Sequence, residues 1–504
     1  MKPKILVKHS RIEVNNYELG DDSQLEYIFS VWDPVRHQSF PKCIEYNEND
    51  KKLILPRGID IPWLENKFNC QAMVDKKCDE FVNIDPIPIK YLPKDDRQVE
   101  LLQFILGEGK YKYTKTKSQL SCNSTTGSGK TYVTVGSICY SGSRAIIITS
   151  SIEWLNQWRD RILEYTPLNN NEIYTIAGSA SIGKLFNRNI LDYKIFLASH
   201  DTLKSYGDKN GWNKVDELFK YLKCSMKIYD ESHLYFDNIC KIDFHSNTKK
   251  TIYLTATPAR SSKEENTLYQ LYFKNIPSIE LLKEEDAHVN YIAMHFNSHP
   301  SPYDINKCKN QYGFDRNTYT NYVVNRPNFR YLLVILINMC LNINGKALIY
   351  VGTNQAIAKV KKMIIYDFPF LQDSVGVYTS INKNNKVEQL YNKIILSTTK
   401  SCGAASDITD LTMTINLAEP FKSEVLSRQT LGRCRANNSM YIDVVDQGFY
   451  FTKRYYQQKK SIFSHYAKSC KDIVLSDEEL EKRYIDITNQ YNNKMILCTK
   501  IYKE

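Results

Sequence analysis

The sequence predicts an α/β protein with two parallel-sheet domains in tandem, preceded by a small N-terminal α+β domain. Three observations carry this. A chain of 504 residues exceeds what one ordinary hydrophobic core accommodates. Two long segments alternate short apolar runs with polar, helically periodic stretches, the pattern of strand-helix-strand units around a parallel sheet. Before Tyr91 that pattern gives way to Trp32, Pro41, Pro56, Arg57, Gly58, Pro62 and Trp63 set between short apolar runs.

The expected domains are an accessory domain over 1–90, a first sheet domain over 91–278 and a second over 279–450, with a polar excursion near 298–327. A basic, aromatic helical tail is expected over 451–504. Apolar runs at 145–149, 194–198, 226–230 and 251–255 read as buried strands of the first sheet, and those at 347–351, 393–397, 413–416 and 440–445 as strands of the second. In the tail, Lys453, Arg454, Lys459 and Lys460 interleave with Tyr455, Tyr456 and Phe463, and Ser476-Asp477-Glu478-Glu479 has the form of a helix start. Packing is the favoured reading of those aromatics and of Trp158, over base stacking.

With 42% apolar and 24% charged residues the composition is that of a folded protein. No apolar run approaches the roughly 18 residues of a membrane span, and Met1 to Ser10 lacks the apolar core of a signal peptide. A cytoplasmic location without membrane association is expected. Thirteen cysteines are scattered without a CxxC pair, which favours reduced thiols over disulfides or a zinc site. A net charge of +11 suits a polyanionic partner and equally a solvated surface.

The most informative stretch is Ser124-Thr125-Thr126-Gly127-Ser128-Gly129-Lys130-Thr131, set between an apolar run ending at Cys122 and a helical pattern ending near Gly142. Strand, glycine-rich loop and helix start together form a phosphate cradle: Gly127 and Gly129 let backbone amides around Thr126 and Ser128 face phosphate oxygens at a helix N-terminus. Lys130 then reaches the β- and γ-phosphates of ATP, and the Thr131 hydroxyl ligates Mg²⁺. A plain Gly/Ser turn before a lysine would not need these flanking elements. About a hundred residues on, a strand runs into Asp230-Glu231-Ser232-His233. Asp230 is the candidate for holding Mg²⁺, and Glu231 for deprotonating the attacking water.

In this order the residues resemble the motifs of superfamily 2 helicases of the DExH branch, over about Asp96 to Val445. The resemblance implies two tandem RecA-like domains of the P-loop NTPase class and an ATP hydrolase acting on nucleic acid. Arg97-Gln98 resembles the glutamine motif that reads adenine. Thr149-Ser150 with Gln157-Trp158, and Ser199 through Leu203 with Thr202, resemble motifs that touch the nucleic-acid backbone. Thr255-Ala256-Thr257-Pro258 resembles the motif coupling hydrolysis to strand contact. In the second lobe, Gly352-Thr353 stands at motif IV, and Thr398 through Asp407 resembles motif V, with Ala405 where the family has Gly. Gln429-Thr430-Leu431-Gly432-Arg433-Cys434-Arg435 resembles motif VI, its second arginine one residue early. Arg433, then Arg435, is the candidate for stabilising charge on the γ-phosphate, an effect worth about 10³ or more in rate.

The N-terminal domain and the Leu55-Pro56-Arg57-Gly58 stretch resemble UvsW-type phage helicases, which remodel branched DNA. The acid motif and motif V spacing are also similar to poxvirus transcript-release helicases. The expectation is therefore an ATP- and Mg²⁺-dependent helicase or translocase, monomeric, with DNA favoured and RNA open, in the host-cell cytoplasm if phage-encoded. Translocation without strand separation and a non-catalytic scaffold are the alternatives; intact Lys130, Asp230, Glu231 and Gln429 argue against the scaffold.

Overall fold

The computed structural model describes residues 2–18, 23–33, 38–124, 129–150, 152–255, 263–281, 289–311, 313–379, 387–402, 408–421, 424–431, 433 and 438–501. The chain divides into two units, Met1–Leu282 and Lys283–Glu504.

The first unit opens with strands β1 (Lys4–Val7), β2 (Arg11–Asn15), β3 (Ser30–Asp33), β4 (Gln38–Pro41), β5 (Glu45–Asn47), β6 (Lys52–Pro56) and β7 (Ala72–Val74). Five of them make a mixed sheet in the order β5-β6-β2-β1-β7, and β3 pairs with β4. The RecA-like sheet follows: β8 (Gln119–Ser124), β9 (Ala145–Thr149), β10 (Ile173–Ile176), β11 (Ile195–Ser199), β12 (Met226–Tyr229), β13 (Lys250–Thr255) and β14 (Ser278–Leu281). Its order is β10-β11-β9-β12-β13-β8-β14, with every pairing parallel. Strand β9 shows why its sequence is an unbroken apolar run: Ile146 and Ile148 enter one core, Ile147 the other, so both faces are covered.

The core on the first of those faces is continuous with the accessory sheet. Ile5, Val14 and Leu55 of the accessory strands share one cluster with Ile148, Phe196, Tyr229 and Phe236. The accessory sheet thus adheres to the RecA-like lobe through buried apolar surface. Leu55-Pro56-Arg57-Gly58 is part of that junction. A Cβ on Gly58 would lie 1.8 Å from the Tyr272 carbonyl oxygen, and Asn275 donates from its side-chain amide to the Gly58 carbonyl at 3.0 Å.

Charge braces the same junction. Lys42 pairs with Asp237 at 2.9 Å, and Glu45 with Lys241 at 2.8 Å and His245 at 3.0 Å. Burial pushes the Glu45 carboxyl up, but the His245 hydrogen bond and the His245 and Lys241 charges outweigh it and leave it down at about 2. A depressed carboxylate stabilises the fold above its unfolded value near 4.5 and loses that contribution as pH falls towards 2. Glu45→Gln is accordingly expected to cost about 2 kcal/mol at neutral pH. In paired thermal melts the gap to the parent should close below pH 4; a gap independent of pH would refute the ion-pair account.

The second unit holds β15 (Asn290–Phe296), a two-residue pair β16 (Lys309–Asn310) and β17 (Gly313–Phe314), then β18 (Lys346–Val351), β19 (Val375–Tyr378), β20 (Ile394–Ser397), β21 (Leu411–Ala418), β22 (Met440–Asp446) and β23 (Ser469–Val474). The large sheet runs β19-β20-β18-β21-β22-β15-β23, again all parallel. Setting the small pair aside and counting strands within each lobe, both sheets have the order 3-4-2-5-6-1-7. The two lobes therefore share one winding. The polar stretch near 298–327 is folded into this lobe through helices Pro302–Lys307 and Arg316–Val323, with Tyr319 and Val323 in its core.

The segment expected as a helical tail contributes a strand. After helix Tyr450–Tyr466, β23 pairs with β15 at the sheet edge, and helix Asp477–Ile501 then packs on helix Pro327–Leu341. Strand β23 is mostly exposed, so backbone pairing holds it and no apolar alternation announces it. The helix start at Ser476 is a reciprocal cap: Ser476 N–H donates to the Glu479 carboxylate at 3.0 Å, and Glu479 N–H donates to Ser476 Oγ at 3.2 Å. Phe463 is buried against Tyr291 and Tyr441, and Tyr456 stands edge-on to His295, so these aromatics pack within the lobe.

Candidate nucleotide and metal site

In a parallel sheet the polar residues that follow the strands collect at one edge, where ligands bind. Strand β8 is buried along its length and leads into the loop; Thr126, Gly127 and Ser128 lie outside the described residues. Gly129 is in the left-handed region at φ 84° and caps helix Lys130–Ser141. A Cβ there would fall 1.9 Å from the Gln98 side-chain amide, so the glutamine lies directly against the loop. Gln98 is fixed in turn: its N–H donates to Asp95, the cap of helix Asp96–Leu106, and its Oε1 accepts from Lys94 N–H at 2.8 Å. Arg97 pairs with the same Asp95 at 3.2 Å.

Lys130 Nζ donates to the Ser124 carbonyl at 2.9 Å, the end of the strand it follows, and Thr131 is half-buried beside it. Two strands away, β12 delivers Asp230 and Glu231. Asp230 is buried, and its N–H donates to the Ile148 carbonyl at 2.9 Å. Its carboxylate accepts from the Trp158 indole N–H at 2.9 Å on one oxygen and from the Glu231 N–H at 3.1 Å on the other. Burial raises the Asp230 carboxyl, the Glu231 charge adds to the rise, and the indole hydrogen bond and the Lys130 charge act against it. A carboxylate so short of solvation gains from a cation. With the Thr131 hydroxyl as a second oxygen donor, the residues present fit Mg²⁺, which binds through hard oxygen ligands.

Glu231 sits at φ 49°, a left-handed conformation that costs a non-glycine residue about 1 kcal/mol or more. Its Oε2 is buried without a hydrogen bond and lies 3.4 Å from His233 Nδ1, which contacts Thr255 Oγ1 at 2.8 Å. That chain of contacts ties the acid motif to the end of β13. Thr257 lies outside the described residues. With Glu231 as the candidate proton acceptor, Glu231→Gln, which keeps the shape, is expected to leave nucleotide binding intact while turnover falls roughly a hundredfold or more. Equilibrium binding beside phosphate release checks this, and a variant hydrolysing ATP at the parental rate would identify another base.

The other motif residues hold local structure. Thr149 is buried at the end of β9 and Ser150 half-buried. Thr202 Oγ1 accepts from Ser199 Oγ at 2.8 Å and from Gly178 N–H at 3.1 Å. Thr353 caps helix Asn354–Asp367, and a Cβ on Gly352 would come within 2.5 Å of Thr320 Oγ1. Thr398 Oγ1 donates to Ser401 Oγ at 3.0 Å. Gln429 lies in helix Glu424–Leu431, and Arg433 follows in a half-buried turn with its N–H on the Thr430 carbonyl. The Gln429 side chain, Asp407 and Arg435 lie outside the described residues.

Sequence reasoning missed two features. Trp158, expected to pack, also donates to Asp230. Beneath the site, buried Lys227 and Asp243 pair at 2.6 Å. The Asp243 carboxylate accepts as well from the hydroxyls of Tyr229, Tyr253 and Tyr272. A lysine inside an apolar strand run was the available signal, since buried lysines require a partner.

Residues 93–260 match the family described as type III restriction enzyme, res subunit. That match contains the phosphate loop and the acid pair. Two archaeal proteins provisionally named DNA 3'-5' helicase Rad25 are similar over 145 residues: 27% identity for that of Haloarcula marismortui and 24% for that of Halobacterium salinarum. Each alignment covers 29% of this chain, and the chain spans only 21% and 22% of these relatives. Among solved structures, the HsdR fragment of a type I restriction enzyme from Vibrio vulnificus has a TM-score of 0.52 at 13% identity, covering 89% of this chain and 78% of its own. S. cerevisiae Dbp5 bound to RNA and ADP BeF3 has a TM-score of 0.50 at 13% identity, covering 78% and 92%. These likenesses establish the tandem RecA-like fold. T4 UvsW covers 95% of this chain at a TM-score of 0.37, too loose to argue from. No helix among the described residues is long and apolar enough to cross a membrane.

Proposed function

We propose that this chain is an ATP-hydrolysing helicase or translocase of superfamily 2, acting on nucleic acid, DNA in preference to RNA, and remodelling branched DNA as a monomer. The observation that carries the reading is Lys130 and Thr131 at a helix start beside the buried Asp230-Glu231 pair. The amides at the start of helix Lys130–Ser141 and the Lys130 ammonium bind the β- and γ-phosphates, the lysine leaving the Ser124 carbonyl to do so. Thr131 and Asp230 hold Mg²⁺, whose charge offsets that of the phosphates. Glu231 accepts the proton of the attacking water, and Gln98 with Arg97 reads the adenine. Arg433, or Arg435 after it, is assigned to the charge developing on the γ-phosphate, Gln429 to catalysis and Asp407 to nucleotide binding. Thr255 and Thr257 couple hydrolysis to strand contact.

Thr149, Ser150, Thr202, Gly352, Thr353 and Thr398 are assigned to the sugar-phosphate backbone, which makes binding sequence-independent and salt-sensitive. The preference for DNA is supported by the names of the archaeal relatives, and the branched-DNA role by the sequence resemblance of the N-terminal domain and Leu55-Pro56-Arg57-Gly58 to UvsW-type phage helicases. Strand displacement from a labelled DNA fork with Mg²⁺ and ATP tests the proposal. Displacement that requires ATP is expected, faster than on an RNA fork. Hydrolysis with no displacement from either substrate would replace unwinding with translocation.

A further inference from the structure

We propose that Trp158 is a positioning residue for the metal at this site, its indole N–H holding the Asp230 carboxylate in the orientation that ligates. The inference rests on the nucleotide-site reading and extends it to a residue whose side chain that reading leaves without a role. Trp158 is 3% exposed and Asp230 6%, so the 2.9 Å hydrogen bond between them is sheltered from water. The opposite carboxylate oxygen takes the Glu231 N–H, and the Asp230 main chain is pinned to β9 through Ile148. Both oxygens and the backbone are therefore held, and the carboxylate plane is set before any cation arrives.

The donor itself is fixed. Helix Ile152–Tyr165 carries Trp158 between Leu155 and Ile162, both fully buried. An indole suits this task for a chemical reason. It offers one N–H and no acceptor, carries no charge, and has a large apolar body that packs. A lysine or arginine in its place would pair with Asp230 as a competing cation. A donor that orients a metal-binding carboxylate typically accounts for ten- to a hundredfold in metal affinity.

Trp158→Phe removes the N–H and keeps an aromatic ring. Mn²⁺ binding to the ADP complex, followed by electron paramagnetic resonance, is read beside metal-free ADP binding by calorimetry. The expected result is Mn²⁺ affinity about tenfold weaker with metal-free ADP affinity unchanged. Unchanged Mn²⁺ affinity, or an equal loss of metal and metal-free nucleotide binding, would overturn the assignment. If Trp158→Phe does not fold, benzothienylalanine at 158, which exchanges N–H for sulfur in the same shape, runs the same titration. A parent protein that binds ADP neither with nor without Mn²⁺ would instead overturn the nucleotide site on which the inference rests.

Discussion

Lys130→Ala is expected to lower ATP turnover by roughly a hundred- to thousandfold, the cost of one well-placed donor to transition-state charge in a sheltered site. The fold should not suffer. Lys130 is the first residue of helix Lys130–Ser141, where a cation opposes the positive end of the helix dipole and alanine is the better helix former. The melting temperature should therefore hold or rise slightly while activity disappears. In the resting protein the variant gives up, among its contacts, the hydrogen bond to the Ser124 carbonyl. Phosphate release and a thermal melt on the same preparation separate the outcomes: parental turnover in the variant removes Lys130 from the site, and a collapsed melt makes it structural.

Asp243→Ala should produce the largest loss of stability in the first unit. It leaves the Lys227 ammonium buried with no counter-ion, although Ser246 Oγ still accepts from it at 2.5 Å, and strips three tyrosine hydroxyls of their acceptor. Burial already lowers the Lys227 ammonium against the pull of Asp243, and breaking a buried ion pair on one side costs about 3–5 kcal/mol. That is a large part of the roughly 5–15 kcal/mol that holds a domain folded. The loss reaches the site because Tyr229 directly precedes Asp230 and Tyr253 lies two residues before Thr255. Chemical denaturation measures it. The double substitution Lys227→Met with Asp243→Leu should recover much of the loss, since it removes both charges; a double variant no better than Asp243→Ala would show that the tyrosine network, not the unpaired charge, dominates.

The parts legible in the sequence were those with a local signature. β9 and β18 carry continuous apolar runs because both of their faces are covered, β12 breaks its run only at Lys227, and the phosphate loop announces itself by glycines between a strand and a helix. The helix start at Ser476 was legible from its cap. Elements held by distant partners were not. β10 and β14 are the two edge strands of the first sheet and only partly buried, so neither is an unbroken apolar run. β23 is an exposed edge strand whose order comes from pairing with β15, and the accessory sheet joins the lobe through a core built from residues more than a hundred positions apart. For the candidate site, Lys130, Thr131, Asp230 and Glu231 were readable from type and spacing, and Gln98 stands against Gly129. Trp158 was read only as packing, because a hydrogen bond across 72 residues leaves no trace in local pattern.

The proposed function requires that this chain hydrolyse ATP in response to nucleic acid. Steady-state phosphate release by the full chain with Mg²⁺ and ATP, titrated in turn with single-stranded DNA, forked DNA and duplex RNA, tests it most directly. A low basal rate is expected that rises to saturation with nucleic acid, DNA acting at lower concentration than RNA, and that weakens with added salt. A chain that releases no phosphate, or releases it at one rate whatever nucleic acid is present, would contradict it.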